Sequence, residues 1–411
     1  MELTATLNGK NSTRGFIRNL PERLGRITSG GKLIREIDGL RFVAIMPVLI
    51  QHLSERFDRN VTVAFSANPD NSLLHYLSSR GFIGVYIFFV ISGFVLALPF
   101  ASYKLNQTKE VKLSSYYLRR LTRLEPTYII WMTLLFLSFI IIGHRSFIAY
   151  LPHYLANITY THAPIYGTWS PFNPPTWTLE IEVQFYILAP FLALAFFSIK
   201  NKVIRRIVIA SFIVILMMVQ QKYRLFTGYF GYSVLGHLHY FLIGFILTDI
   251  YITEWNTNTA RKNVAFDAVA ILSLILLIVG WDWNFDFYRR IFVVLMLFGF
   301  FYSAFKSIYV NRLLTNKWIM AIGGMCYTIY LIHLPVAEFA MRFTKHITFT
   351  NDYAVNLIIQ LAIFLPLVLS MGAVFFLLFE KPFMNKDWPK NLSSALRRWA
   401  GPKNKNAGNG I

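Results

Sequence analysis

The chain holds one cysteine in 411 residues, Cys326, so no disulfide can close within it and no cysteine-based metal cluster can be assembled. Charge is scarce as well, at 15% of residues, and the 20 acidic residues are outnumbered by 40 Lys and Arg. Set against 55% hydrophobic and 17% aromatic residues, that scarcity excludes an ordinary soluble domain of this length and points to a membrane protein. Residues 1–30 lack an apolar core of signal-peptide length and are expected to form a cytoplasmic tail. No internal repeat is evident, and the connections leave no room for a separate soluble domain.

Long apolar runs are what the chain has in quantity. They predict an all-α integral membrane protein of about ten spans, near 38–56, 80–100, 126–143, 177–198, 203–220, 233–252, 263–281, 288–308, 318–341 and 353–380. With both termini cytoplasmic, the inside segments hold about 29 of the 40 Lys and Arg and the outside segments about 10. This bias accounts for the net charge of +20 without a nucleic-acid partner. The chain divides into a basic tail (1–34), a transmembrane domain (35–383) and a second basic tail (384–411). Weak membrane-surface stripes are expected in both tails: Phe16, Ile17, Leu20, Leu24 and Ile27 in one, and Trp388, Leu392, Leu396 and Trp399 in the other. The third outside loop, 144–176, carries five prolines and several aromatics, and it reads equally as a packed cap or a carbohydrate-contacting surface.

Ionisable groups inside apolar segments are costly, roughly 2.5 to 3.5 kcal/mol on the mildest scale, and usually line a polar cavity. In the first span Arg41 and His52 lie on one helical face about 16 Å apart along the axis. His52 reads as a general base, against the alternative of a histidine hydrogen-bonded at a helix end; Arg41 alternatively pairs with Asp38 one turn away. Arg119, Arg120 and Arg123 share a face ahead of Pro126 and suit polyanionic phosphate, with a lipid-headgroup anchor as the plainer reading. Glu182, in the fourth span, is expected near the depth of His52, where a carboxylate would fix the imidazole tautomer. Gly84 and Gly93 read as close-packing positions, Ser92 between them is left open, and Tyr330 with His333 forms a secondary site candidate.

Taken together, these segments resemble the acyltransferase-3 family of multi-pass membrane acyltransferases. The resemblance rests on RxxDGLR and the Arg41 to His52 spacing, on Gly84 to Phe94, and on Arg120, Arg123 and Pro126. It rests further on Trp177, Thr178, Leu179 and Glu182 with Phe185 and Tyr186, on Tyr330 to Pro335, and on Glu380 to Pro382. Tyr86 and Thr178 depart from the family's usual aspartate and serine, and the family's frequent C-terminal hydrolase-like extension is expected to be absent.

The resemblance implies transfer of an acyl group, most often acetyl, from cytoplasmic acyl-CoA to a hydroxyl of a sugar or glycolipid at the outer face of a bacterial inner membrane. In that scheme His52 and Glu182 are catalytic, and Arg41, Arg119, Arg120 and Arg123 hold the donor. Ser92, Trp177, Tyr330 and His333 line the acceptor or cavity side. Acyl-CoA is a substrate, and neither a resident cofactor nor a metal is expected. The competing class is a transporter or lipid-linked-sugar translocator, which leaves the arginine cluster unexplained.

Overall fold

The computed structural model describes residues 19–27, 33–61, 65–255, 262–283, 286–385, 388 and 394. Among the tail residues expected to form surface stripes, Phe16, Ile17, Leu392, Leu396 and Trp399 lie outside them. Leu24 is buried against the helical core and Leu20 packs beside it, so this stretch is tied to the domain.

The described residues form helices without strands. We number them α1 (Arg35–Asn60), α2 (Leu73–Ser78), α3 (Ile83–Asn106), α4 (Leu113–Ile141), α5 (Phe147–Ile158), α6 (His162–Tyr166), α7 (Trp177–Phe197) and α8 (Lys202–Tyr223). They continue with α9 (Val234–Ile250), α10 (Ala265–Gly280), α11 (Phe287–Lys306), α12 (Tyr309–Leu314), α13 (Lys317–Gly324), α14 (Cys326–Thr344) and α15 (Tyr353–Phe375).

Helices occur at all ten expected positions, with two refinements. Eight helical segments are individually long and apolar enough to span a bilayer. The ninth expected span is a broken pair, α13 and α14, bent by 69°. The helix α10 has 16 residues, about 24 Å of rise, short of a hydrocarbon core of about 30 Å. The break has a local cause: Gly323 and Gly324 end α13, and the Glu380 carboxylate accepts from the Thr328 backbone N–H at 3.2 Å and from its hydroxyl, which caps the opening turn of α14.

Inside lipid, helices associate through close packing and internal hydrogen bonds rather than hydrophobic transfer. The expected packing glycines bear this out. A Cβ at Gly84 would collide with the Ala44 carbonyl of α1, and one at Gly93 with the Phe241 carbonyl of α9, so α3 lies pressed between these two helices. A bulkier residue at either position forces the backbones apart, at about 1–3 kcal/mol. Charge ties α8 to α9. Arg205 and Arg206 each donate from Nε to a different oxygen of the fully buried Asp249, both at 2.6 Å, and Arg206 also meets Glu254 at 2.7 Å.

The loop 144–176 is an ordered cap. It contains α5 and α6, and the Glu180 carboxylate of α7 accepts from the Ala163 N–H at 2.8 Å, fastening the cap to the first turn of that helix. His162 is buried and shares a 2.9 Å hydrogen bond with His153; burial, with that neighbour, pushes its pKa down to about 4.

Candidate active site

Three cavities lie along α1, α3 and α7, and between them they take in the predicted site residues other than Arg119 and His333. The first, about 950 Å³, is lined by Arg41, Arg120 and Arg123 together with Ser92, Glu182 and Glu380. Arg41 donates to Asp38 at 2.7 Å, and Arg26 donates to the same carboxylate at 3.1 Å. The plainer reading of Arg41 is therefore part of the structure, and the same side chain still faces the cavity. Arg120 and Arg123 have no carboxylate within ion-pair distance among the described residues, and Arg123 Nε is buried without a hydrogen-bond partner. Buried guanidinium nitrogens are almost always satisfied, and an acceptor-rich ligand in this cavity would satisfy this one. Arg119 is exposed and does not reach the cavity, which corrects its assignment to the donor clamp.

The second cavity, about 940 Å³, holds His52 with Glu55, Arg56, Trp169 and Trp177. His52 Nδ1 lies 3.1 Å from Glu55 Oε2, one turn further along α1. A carboxylate oxygen can only accept, so Nδ1 carries the proton and Nε2 keeps its lone pair for base chemistry. Glu55 is itself held by Gln51 Nε2 at 2.8 Å and by Arg56 at 3.3 Å, while Arg56 Nε donates to Glu338 at 2.8 Å. This hydrogen-bonded chain fixes the imidazole from its own helix and is anchored at its far end on Glu338 of α14.

Glu182 does not pair with His52. It accepts from the Ser92 hydroxyl in the arginine cavity, and Trp177, the first residue of α7, is the one that shares a cavity with His52. Five residues separate Trp177 from Glu182, about 7.5 Å of helix, which puts the carboxylate deeper than the matching depth expected from sequence. Glu55 was missed because a partner was sought across helices, yet its i,i+3 spacing from His52 was a usable signal.

The two cavities share Val85 and Tyr330 in their walls. The Tyr330 hydroxyl donates to the Pro175 carbonyl at 2.7 Å and lies 2.6 Å from the Thr178 hydroxyl. Thr178 thus supplies the hydroxyl that the usual serine would. His333, one turn beyond Tyr330, donates from Nδ1 to the Tyr330 carbonyl at 2.6 Å, and its ring centroid lies 5.1 Å from that of His52. Its Nε2 is buried without a partner. His333 therefore packs beside the candidate base but is not itself among the residues that line the cavities.

Removing the charge of Glu55 while keeping its shape tests the orienting contact. Glu55→Gln is expected to lower kcat by about 10²-fold, the scale of one well-placed acid–base contribution. The KM for a substrate held by the arginine cavity is expected to stay unchanged. Equal changes in both constants, measured by steady-state kinetics, would mean that Glu55 only supports the fold.

Among the described residues no group of three or more His, Cys, Asp or Glu is placed to hold a metal ion. Fold and site together define a multi-pass helical membrane protein with an arginine-lined cavity and a histidine–carboxylate cavity stacked along one helix. The family model described as an acyltransferase domain matches residues 34–379, and the chain belongs to this acyltransferase-3 family. It is 27% identical over 354 residues to "Putative O-acetyltransferase SACOL0978" of Staphylococcus aureus strain COL, covering 80% of this chain and 53% of that protein. It is likewise 27% identical over 352 residues to O-acetyltransferase OatA of Staphylococcus aureus strain NCTC 8325 / PS 47, covering 78% of this chain and 51% of that protein. The chain thus spans about half the length of the curated relatives it matches. No solved structure matches it.

Proposed function

We propose that the protein is a membrane O-acyltransferase that takes an acyl group, acetyl in the simplest case, from cytoplasmic acyl-CoA and passes it to a hydroxyl of a sugar or glycolipid at the outer face of a bacterial cytoplasmic membrane. The observation that carries this reading is the shared wall: Tyr330 and Val85 border both the arginine cavity and the His52 cavity. A donor with phosphates at one end and a thioester at the other fits this arrangement. Arg120 and Arg123 take the phosphates, Arg41 steadies the arm, and the thioester approaches His52 across a distance of about 16 Å along α1.

The chemistry then balances on residues already in place. His52 Nε2 removes the proton of the acceptor hydroxyl, and the oxygen attacks the thioester carbonyl. A C–O bond forms and the C–S bond breaks. The thiolate of coenzyme A leaves and takes up the proton held by His52, while Glu55 stabilises the imidazolium between these steps. Glu182, hydrogen-bonded to Ser92, acts in the donor cavity rather than on the base.

The test uses membrane vesicles containing the full chain and acyl-labelled acetyl-CoA. Label is expected to enter envelope glycan as an alkali-labile ester, in step with release of free coenzyme A. Coenzyme A release without any esterified label would mean that the acyl group goes to water, and transport of intact label without coenzyme A release would favour the translocator class; either result refutes acyl transfer.

A further inference from the structure

A third cavity, about 720 Å³, opens beside the His52 cavity, and the two share Phe82, Trp169, Trp177 and Trp283 in their walls. Phe82 and Trp177 stack at 5.7 Å with 15° between their planes, Trp283 lies 5.2 Å from Phe82, and Tyr232 closes edge-on to Trp177 at 6.0 Å. Flat aromatic walls suit the apolar faces of a sugar ring, but they equally suit a packed interior. The polar groups decide between the two.

His239 is 1% exposed, lines this cavity, and has no hydrogen-bond partner at either ring nitrogen. His237 beside it uses Nε2 on the Gly231 carbonyl at 2.9 Å and leaves Nδ1 unpaired. A packed interior rarely tolerates three unsatisfied ring nitrogens in one place.

The charge in this cavity is equally unmatched. Arg290 is 3% exposed and lines the same cavity. Its partners are neutral: the side-chain amide oxygens of Gln220 and, at 3.3 Å, of Gln221, the Met217 backbone carbonyl at 3.5 Å, and the Phe226 ring 4.4 Å below the guanidinium. No carboxylate lies within ion-pair distance of it among the described residues, whereas the adjacent Arg289 pairs with Asp282 at 3.2 Å and Asp286 at 3.4 Å. Tyr86, at the position where the family motif commonly has aspartate, also lines the cavity and stacks on Tyr240 at 4.1 Å. A phenol there offers no counter-charge. A buried cation left with neutral partners is costly unless an anion completes the site.

We propose that this cavity is the acceptor subsite, and that it binds a pyranose bearing a negative charge. Arg290 takes the anionic group, His239 hydrogen-bonds a ring hydroxyl, and the Phe82–Trp177 stack carries the ring face. The shared aromatic wall then brings a neighbouring hydroxyl towards His52. This assignment rests on the acyl-transfer reading for its purpose but not for its test.

Tryptophan fluorescence of the full chain in detergent, with three tryptophans on the cavity walls, reports binding without any acyl donor. The probes are glucuronate, a glucosyl phosphate and methyl glucoside, which separate a carboxylate from a phosphate and both from a neutral ring. At least one anionic sugar is expected to bind about tenfold or more tightly than methyl glucoside, the scale of one charge-assisted hydrogen bond. Arg290→Gln removes that preference, and Arg290→Lys restores most of it with an unchanged thermal melt. Equal affinity for all three sugars in the wild type, or an anion preference that survives Arg290→Gln, overturns the subsite. Neither result bears on acyl transfer, which is read separately from labelled ester.

Discussion

The His52→Ala protein is expected to bind acyl-CoA as the wild type does and to transfer almost nothing, with kcat lower by about 10²–10⁴-fold. The separation of the cavities makes this outcome specific. His52 does not line the arginine cavity, and its hydrogen bond to Glu55 and ring pairing with His333 lie outside that cavity as well. Alanine therefore removes a proton acceptor and leaves the donor clamp intact. The side chain is a quarter exposed to the cavity, so its loss opens space without uncovering a packed core. Measured by coenzyme A release alongside donor affinity, normal turnover in this variant would refute the base assignment. Equal loss of affinity and turnover would make the Arg41–His52 helix a structural unit.

Arg123→Gln carries the second large effect, on binding. Its Nε is buried and unpartnered, and among the described residues no carboxylate lies within ion-pair distance of it, Glu380 being the nearby acid in the same cavity. A phosphate there gains a charge-assisted hydrogen bond, about 1.5–3 kcal/mol. The KM for acetyl-CoA is accordingly expected to rise roughly 10–100-fold while kcat at saturation holds. Arg119→Gln provides the control, because Arg119 is exposed outside the cavity. If both substitutions weaken the donor equally, the effect comes from the general positive field of the surface. Arg41 is a poorer probe, since its loss also leaves Asp38 with Arg26 alone.

Sequence reading succeeded where one helix holds the whole argument. Apolar length located all ten helical segments, the small residues at 84 and 93 predicted the squeeze on α3, and Arg41 and His52, expected on one helix face, each line a cavity. It failed where depth depends on how a loop enters a helix. Pro174 and Pro175 start a single tight turn before α7 and place Trp177, rather than Glu182, level with His52. The bend after Gly324 was likewise hidden, because the carboxylate that caps α14 comes from Glu380, 52 residues downstream. The Arg290 cavity was least legible of all. Its walls come from four separate stretches of chain, around Phe82, Trp177, Phe226 to Tyr240 and Trp283 to Arg290, and no local pattern announces that they converge.

The charge cluster between α8 and α9 constrains how the chain is made. Arg205 ends up almost fully enclosed, and its carboxylate partner Asp249 lies 44 residues later. Before α9 is made, that guanidinium has the Ile199 and Lys200 carbonyls just ahead of α8, but no carboxylate partner. Arg205 lies in the first turn of α8, at the end of the helix, and the charges there are matched only once Asp249 and Glu254 of the following stretch have been made. The joint between α8 and α9 is therefore completed by residues that come at and just beyond the end of the next helix in the chain.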